Sequence, residues 1–290
     1  MIVVTGATGQ LGRAIVLQLL KRIPASQIGA SVRAPEEAAD LEGLGVRVRR
    51  GDFGEPDTLP QAFEGATQLL MVSSNAAAQG GDTLGQHRAA ISAARAAGVK
   101  RVVYTSHMAA SPTSAFPPML HHAATEGMLR ESGLAWTALR NGFYAQSGLL
   151  LMGDALQTGM LDAPADGKVS WTAHADLAEA AAILLAGEPR FDGPTPPLTA
   201  AVALDLADLA AIAAELLGRP VQRKVIEDEE LRALLAARGA PDSVATIALG
   251  LYTASRKGEF SAVDGTLGEL LGRRPIDMRT LLAKKVQPAG

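Results

Sequence analysis

Through the first half of the chain, short β-branched runs alternate with stretches whose apolar residues recur every three or four positions. Residues 2–5 are such a run, and over residues 11–22 Leu11, Ile15, Val16, Leu19 and Leu20 share one helical face that closes on basic Lys21 and Arg22. The same reading predicts strands over residues 27–32, 46–49, 69–72, 102–105 and 135–139. Helices are predicted over residues 36–44, 58–63, 85–97 and 119–132, the last two closed by Gly98 and Gly133. Strand and helix in strict alternation imply parallel strands joined by right-handed crossovers, and so an α/β fold on a doubly wound sheet.

Beyond Tyr144 the rhythm fails. The remainder is helix-rich, with Pro and Gly clustered over residues 192–197 and short strands predicted over residues 169–172 and 221–225. The expected division is a dinucleotide-binding unit over residues 1–144 and a substrate-side lobe over residues 145–290, partly interleaved with the sheet. An acidic run, Glu227 to Glu230, opens a helix, where negative charge meets the positive end of the dipole. Asp176 is expected as a helix amino cap.

Composition narrows the chemistry. At 290 residues, 48% hydrophobic and 20% charged, the chain has the balance of a globular protein and not of a collagen, a coiled coil or a disordered segment. It contains no cysteine, which removes a disulfide framework, a thiolate nucleophile and a zinc–thiolate cluster. A net charge of -3 argues against a nucleic-acid partner. No apolar run approaches the length of a membrane span and no basic segment precedes Met1, so a cytoplasmic location is expected. His87, His107, His121, His122 and His174 show no His-x-x-x-His pair, and no metal is expected.

The stretch from Thr5 to Gly12 stands between the first strand and the first helix, the context that a dinucleotide fingerprint requires. Gly6 permits the tight turn, Gly9 lets the backbone approach a pyrophosphate, and Gly12 lets the helix press on the strand. Thr8, Gln10 and Leu11 complete the cradle, and the helix amino terminus offers its N–H groups to the phosphates. At the end of the second strand, where an NAD enzyme carries a carboxylate, stands Arg33, so NADPH is favoured over NADH. The plainer reading of Arg33 is a solvated residue at a helix start. Asp52 and Phe53 follow the third strand, where the carboxylate can accept from the adenine amino group; Asp52 can equally cap a turn beside Gly51.

These segments, with Ile23-Pro-Ala-Ser-Gln-Ile28, Ala96-Ala-Gly-Val-Lys100, Tyr104-Thr-Ser106, Ala124-Thr-Glu126, Leu139-Arg-Asn141 and Ser255-Arg-Lys-Gly258, resemble the NmrA-like atypical short-chain dehydrogenases, and among them the quinone and dye reductases. The resemblance runs through nearly the whole chain. It implies a Rossmann doubly wound parallel sheet that binds NADPH, with a smaller helix-rich C-terminal lobe closing over a planar conjugated acceptor such as a quinone. The family also contains regulators that bind NADP without turning it over, so a redox sensor is the alternative. A homodimer is left open.

Ordinary short-chain dehydrogenases carry a Tyr followed four residues later by a Lys that lowers its pKa. All three tyrosines can be checked: Tyr104 is followed at that spacing by Met108, Tyr144 by Gly148 and Tyr252 by Arg256. The pair is missing. A ketone would need it, because hydride arrival creates a strongly basic alkoxide, whereas a quinone yields a phenolate that water can protonate. Aligned on the family pattern, His122 falls where the Lys would be and can hydrogen-bond the nicotinamide ribose, with Glu126 one turn on to orient its ring. A histidine with a satisfied nitrogen is the equal alternative. Where quinone-reducing relatives place a Lys after the Thr-Glu pair, this chain has Gly127. Ser73, Ser74, Asn75, Ser106 and His107 lie at the carboxyl edge that must face the nicotinamide, and Asn141 follows on the sixth strand as an amide contact. Phe143 and Tyr144 are read as an aromatic wall or as lobe packing.

Overall fold

Residues 1–286 are described by the computed structural model. Seven parallel strands form the main sheet: β1 (Ile2–Thr5), β2 (Ile28–Val32), β3 (Arg47–Arg50), β4 (Gln68–Met71), β5 (Arg101–His107), β6 (Ala135–Asn141) and β8 (Gly193–Pro194). Their order, β3-β2-β1-β4-β5-β6-β8, reverses direction between β1 and β4. A crevice at the carboxyl ends of the strands opens at such a switch point.

Alternation along each strand divides the packing between two faces. Val4, Leu70, Val103 and Leu139 face one core, against α1 (Gln10–Leu19), α2 (Ala39–Gly43), α8 (His174–Ala186) and α12 (Thr266–Leu271). Val3, Leu69, Met71, Val102 and Tyr104 face the other, against α3 (Leu59–Phe63), α4 (Thr83–Ala96) and α5 (Pro117–Glu131). A third core gathers Phe116, Phe143, Trp171, Leu209, Tyr252 and Phe260. Into it pack α6 (Ala145–Leu151), α7 (Ala155–Thr158), α9 (Leu206–Leu217), α11 (Asp242–Arg256) and α13 (Met278–Val286). Among the described residues no helix is long and apolar enough to cross a membrane.

The second half of the chain departs from its reading in particulars. The run at residues 169–172 makes no strand: Val169 and Thr172 each form one isolated bridge, to Leu204 and Tyr144, because Trp171 turns into the third core. The strand near residue 221 is real as β9 (Gln222–Ile226), but its partner is β7 (Met160–Pro164), in a separate two-stranded parallel sheet. The acidic run does open a helix, α10 (Asp228–Ala237).

Asp176 is not an amino cap. The chain turns helical two residues earlier, after extended Ala173, so Asp176 lies within the first turn of α8 and is fully buried. Its Oδ2 accepts from the Ile276 backbone N–H at 2.6 Å, and Oδ1 pairs with Arg273 at 2.8 Å. This one carboxylate fastens the carboxy-terminal segment to the helix that covers the sheet. Asp176→Ala strands a part-buried donor, and the expected loss is about 1–2 kcal/mol of stability, read as a lower urea midpoint. Asp176→Asn keeps an acceptor and should lose less; equal midpoints for wild type and the alanine variant would refute the role.

Candidate active site

The site begins in the turn after β1. Gly6 has φ +59°, in the left-handed region that favours glycine, and the Gly9 N–H donates to its carbonyl at 3.0 Å. A Cβ on Gly12 would overlap that same carbonyl oxygen, so α1 starts pressed against the turn. Leu11 and Gly12 are buried beneath it, Thr8 is half-buried, and Gly6, Gly9 and Gln10 are exposed. Gly9 occupies the amino-cap position without a side-chain cap, which leaves the first-turn N–H groups for an anion.

Arg33 stands exposed in the bend after β2. Its neighbours are spent: Arg13 pairs with Asp40, Arg49 with Glu64 and Arg50 with Glu55, while no ion pair among the described residues takes Arg33. Ser31 Oγ, one turn of strand earlier, is buried without a partner. Asp52 Oδ1 accepts from the Gly54 N–H at 2.8 Å, the turn-capping alternative, while Phe53 packs half-buried on the second core.

Three consecutive backbone donors after β4 are each taken by a side chain from a different element. Val72 N–H donates to Thr5 Oγ1 at 2.9 Å, Ser73 N–H to Thr105 Oγ1 at 2.8 Å and Ser74 N–H to His87 Nε2 at 2.8 Å. Because Nε2 accepts, His87 carries its hydrogen on Nδ1 and donates it to Thr125 Oγ1 at 2.8 Å; Thr125 donates in turn to the His121 carbonyl at 2.7 Å. The loop is thereby tied to β1, β5, α4 and α5, and it runs from the phosphate turn to a cavity of about 360 Å³.

That cavity brings together Ser73, Ser74, Asn75 and His122 of the predicted residues. Its other walls are His87, Tyr104, Pro117, Pro118 and His121, with Ser243, Thr246 and Ile247 from α11. The remaining candidates lie outside it. The Ser106 hydroxyl donates to Glu126 at 2.6 Å, Asn141 is buried with an unpartnered Oδ1, and the Tyr144 ring rests 4.2 Å from that of His174. Phe143 belongs to the third core, with Phe260 at 4.9 Å and His107 at 5.3 Å.

Glu126 does not orient His122. It is buried and makes a two-point pair with Arg140, at 2.8 and 3.2 Å, because a buried carboxylate is held best by a guanidinium fork. His122 Nδ1 lies instead 2.8 Å from the Tyr104 hydroxyl.

Around the cavity burial disfavours the charged forms of His87, His107, His122 and Tyr104. It lowers His87 to about 4, with His121 adding repulsion, and His107 to about 3. His122 falls well below its ordinary value, first through burial and then through His107, His87 and His121. Burial likewise pushes the Tyr104 hydroxyl far up, partly offset by the Thr125 hydroxyl. These imidazoles stay neutral in the fold but protonate once unfolded. Stability is then full above about pH 6.5 and declines as pH falls from 6.5 toward 4, by about 1.4 kcal/mol per pH unit for each such histidine. Urea midpoints should drop between about pH 7 and 5; a midpoint constant over that range would contradict the assignment.

The model of the NAD(P)H-binding family matches residues 6–186. The chain is 37% identical over 273 residues to quinone oxidoreductase 2 of Escherichia coli (strain K12), covering 94% of each. It superposes on the crystal structure of the E. coli NADPH-dependent quinone oxidoreductase complexed with NADPH at a TM-score of 0.92, with 35% identity and 99% and 100% of the two chains covered. It superposes on the Citrobacter sp. triphenylmethane reductase complexed with NADP(H) at a TM-score of 0.89, with 34% identity over 99% and 100% of the chains.

Proposed function

The chain belongs to the NAD(P)H-binding family, and from that premise we propose that it is an NADPH-dependent oxidoreductase that reduces a quinone or a similar planar conjugated acceptor. One observation carries the reading: a phosphate cradle joined, through Thr5 and the tied loop at Ser73 and Ser74, to a cavity whose lining includes no Asp, Glu, Lys or Arg. The substrates named for the quinone and dye reductases that it resembles support it.

The residues present fit the dinucleotide. Gly6, Thr8, Gly9, Gln10, Leu11 and Gly12 would hold the pyrophosphate, since the crowded Gly6–Gly12 contact and the helix start without a side-chain cap leave backbone donors there. Arg33 would hold the 2′-phosphate, and Asp52 and Phe53 the adenine, with Asp52 Oδ2 not engaged by the turn. Ser73, Ser74 and His122 would hold the nicotinamide side. Asn141 offers an unused Oδ1 to an amide donor, and Ser106 contributes by fixing Glu126 and with it Arg140. When bound, NADPH supplies the hydride. The protein orients the two rings and excludes water, and the reduced quinone leaves as a weakly basic phenolate that solvent protonates. A Tyr–Lys acid pair is not required.

Mixing the protein with NADPH and a panel of benzoquinones, and following the absorbance of the reduced cofactor, tests the reading. Acceptor-dependent oxidation is expected. Tight dinucleotide binding without it would mark a redox sensor instead. In the same assay Arg33→Ala removes a charge-assisted contact worth about 1.5–3 kcal/mol, so the preference for NADPH over NADH should fall roughly ten- to a hundredfold. An unchanged preference would place the 2′-phosphate elsewhere.

A further inference from the structure

Spacing along the chain eliminates Tyr104 as a partner in proton chemistry, because Met108 stands four residues on. Through space it has a partner. Its ring is fully buried midway along β5, and its hydroxyl sits 2.8 Å from Nδ1 of His122, eighteen residues away on α5. We propose that Tyr104 is the positioning residue of this site: it donates to His122 Nδ1, fixes the neutral tautomer with the hydrogen on Nε2, and so gives the cavity a permanent uncharged donor. The inference rests on the proposed quinone reduction for what that donor meets, the oxygen on which negative charge appears.

The direction of the hydrogen bond follows from the surroundings. Among the described residues His122 Nδ1 is the acceptor at hydrogen-bond distance from the Tyr104 hydroxyl, while Thr125 Oγ1 is engaged with His87 and gives its own hydrogen to the His121 carbonyl. His122 lines the cavity, and among the described residues its Nε2 has no hydrogen-bond partner. The groups that bear on the pair's charge are His107 on β5, His87 on α4, His121 and Glu126 on α5, and Tyr144. Glu126 is neutralised by Arg140, and α11 contributes only Ser243, Thr246 and Ile247. A tyrosine that burial keeps protonated can only donate or accept a hydrogen bond. Beside an imidazole that burial keeps neutral, it selects a tautomer instead of supplying a proton.

Nitrogen-15 spectra of the histidine-labelled full chain, with the His122 signals identified from His122→Gln, read the tautomer directly and need no acceptor. Hydrogen on Nε2 of His122 is expected in the wild type, and a mixture of tautomers in Tyr104→Phe. Hydrogen on Nδ1 in the wild type would overturn the proposal. The spectrum can be read whether or not the protein reduces any quinone, so the two readings fail separately. In turnover Tyr104→Phe should lower kcat roughly ten- to a hundredfold at unchanged KM for NADPH, the unchanged KM also showing an intact fold. His122→Gln retains an amide donor, and on that background Tyr104→Phe should have no further effect; an equal loss in both backgrounds would make Tyr104 merely structural.

Discussion

The close approach of α1 to the turn after β1 is the contact on which the rest of the site depends. It exists because position 12 has no side chain: a Cβ there would overlap the Gly6 carbonyl. With α1 held in, the turn lies against Val72 and the Thr5 hydroxyl takes the Val72 N–H. The next two donors of the loop then reach Thr105 and His87. On its outer side α1 is backed by α8, which Asp176 in turn ties to the carboxy-terminal segment. A displacement of α1 would therefore move the phosphate cradle and the cavity loop together.

A second constraint is desolvation. The groups at the carboxyl edge are polar yet excluded from water, and nearly all of them are neutral: His87, His107, His122 and Tyr104 each shift away from the charged form. The buried carboxyl group of Glu126, near the site, is held by the Arg140 guanidinium. Such a site is poorly suited to trap an alkoxide, which needs a strong acid nearby. It suits an acceptor whose reduced form is already a weak base, and there the site need only supply donors in fixed positions.

Much of this was legible in the sequence, because the sheet half obeys local rules. Its strands alternate sides cleanly, Val3 to one core and Val4 to the other, and Gly6, Gly9 and Gly12 have roles that only their spacing and context require. What stayed hidden depends on pairings across the fold. Nothing local marks Gly193-Pro194 as a seventh strand, since two residues carry no period, and β7 gains its identity only from pairing with β9. Residues 169–172 have the composition of a strand, but Trp171 is needed in the third core. Helical spacing offered Glu126 to His122, yet the guanidinium of Arg140 on β6 binds it more strongly than an imidazole could. Tyr104 and His87 became visible only when β5, α4 and α5 were brought side by side, and no pattern connects Ser243, Thr246 and Ile247 to a loop at residue 74.

The central claim is that hydride passes to the acceptor in a site that contributes no ionising acid. Its most direct test is the single-turnover rate of oxidation of bound NADPH by a benzoquinone, measured from about pH 6.5 to 9. The account predicts a rate that does not change with pH. A rate falling tenfold per pH unit above one ionisation would show that a protonated group of the protein is required in the step, and would contradict it.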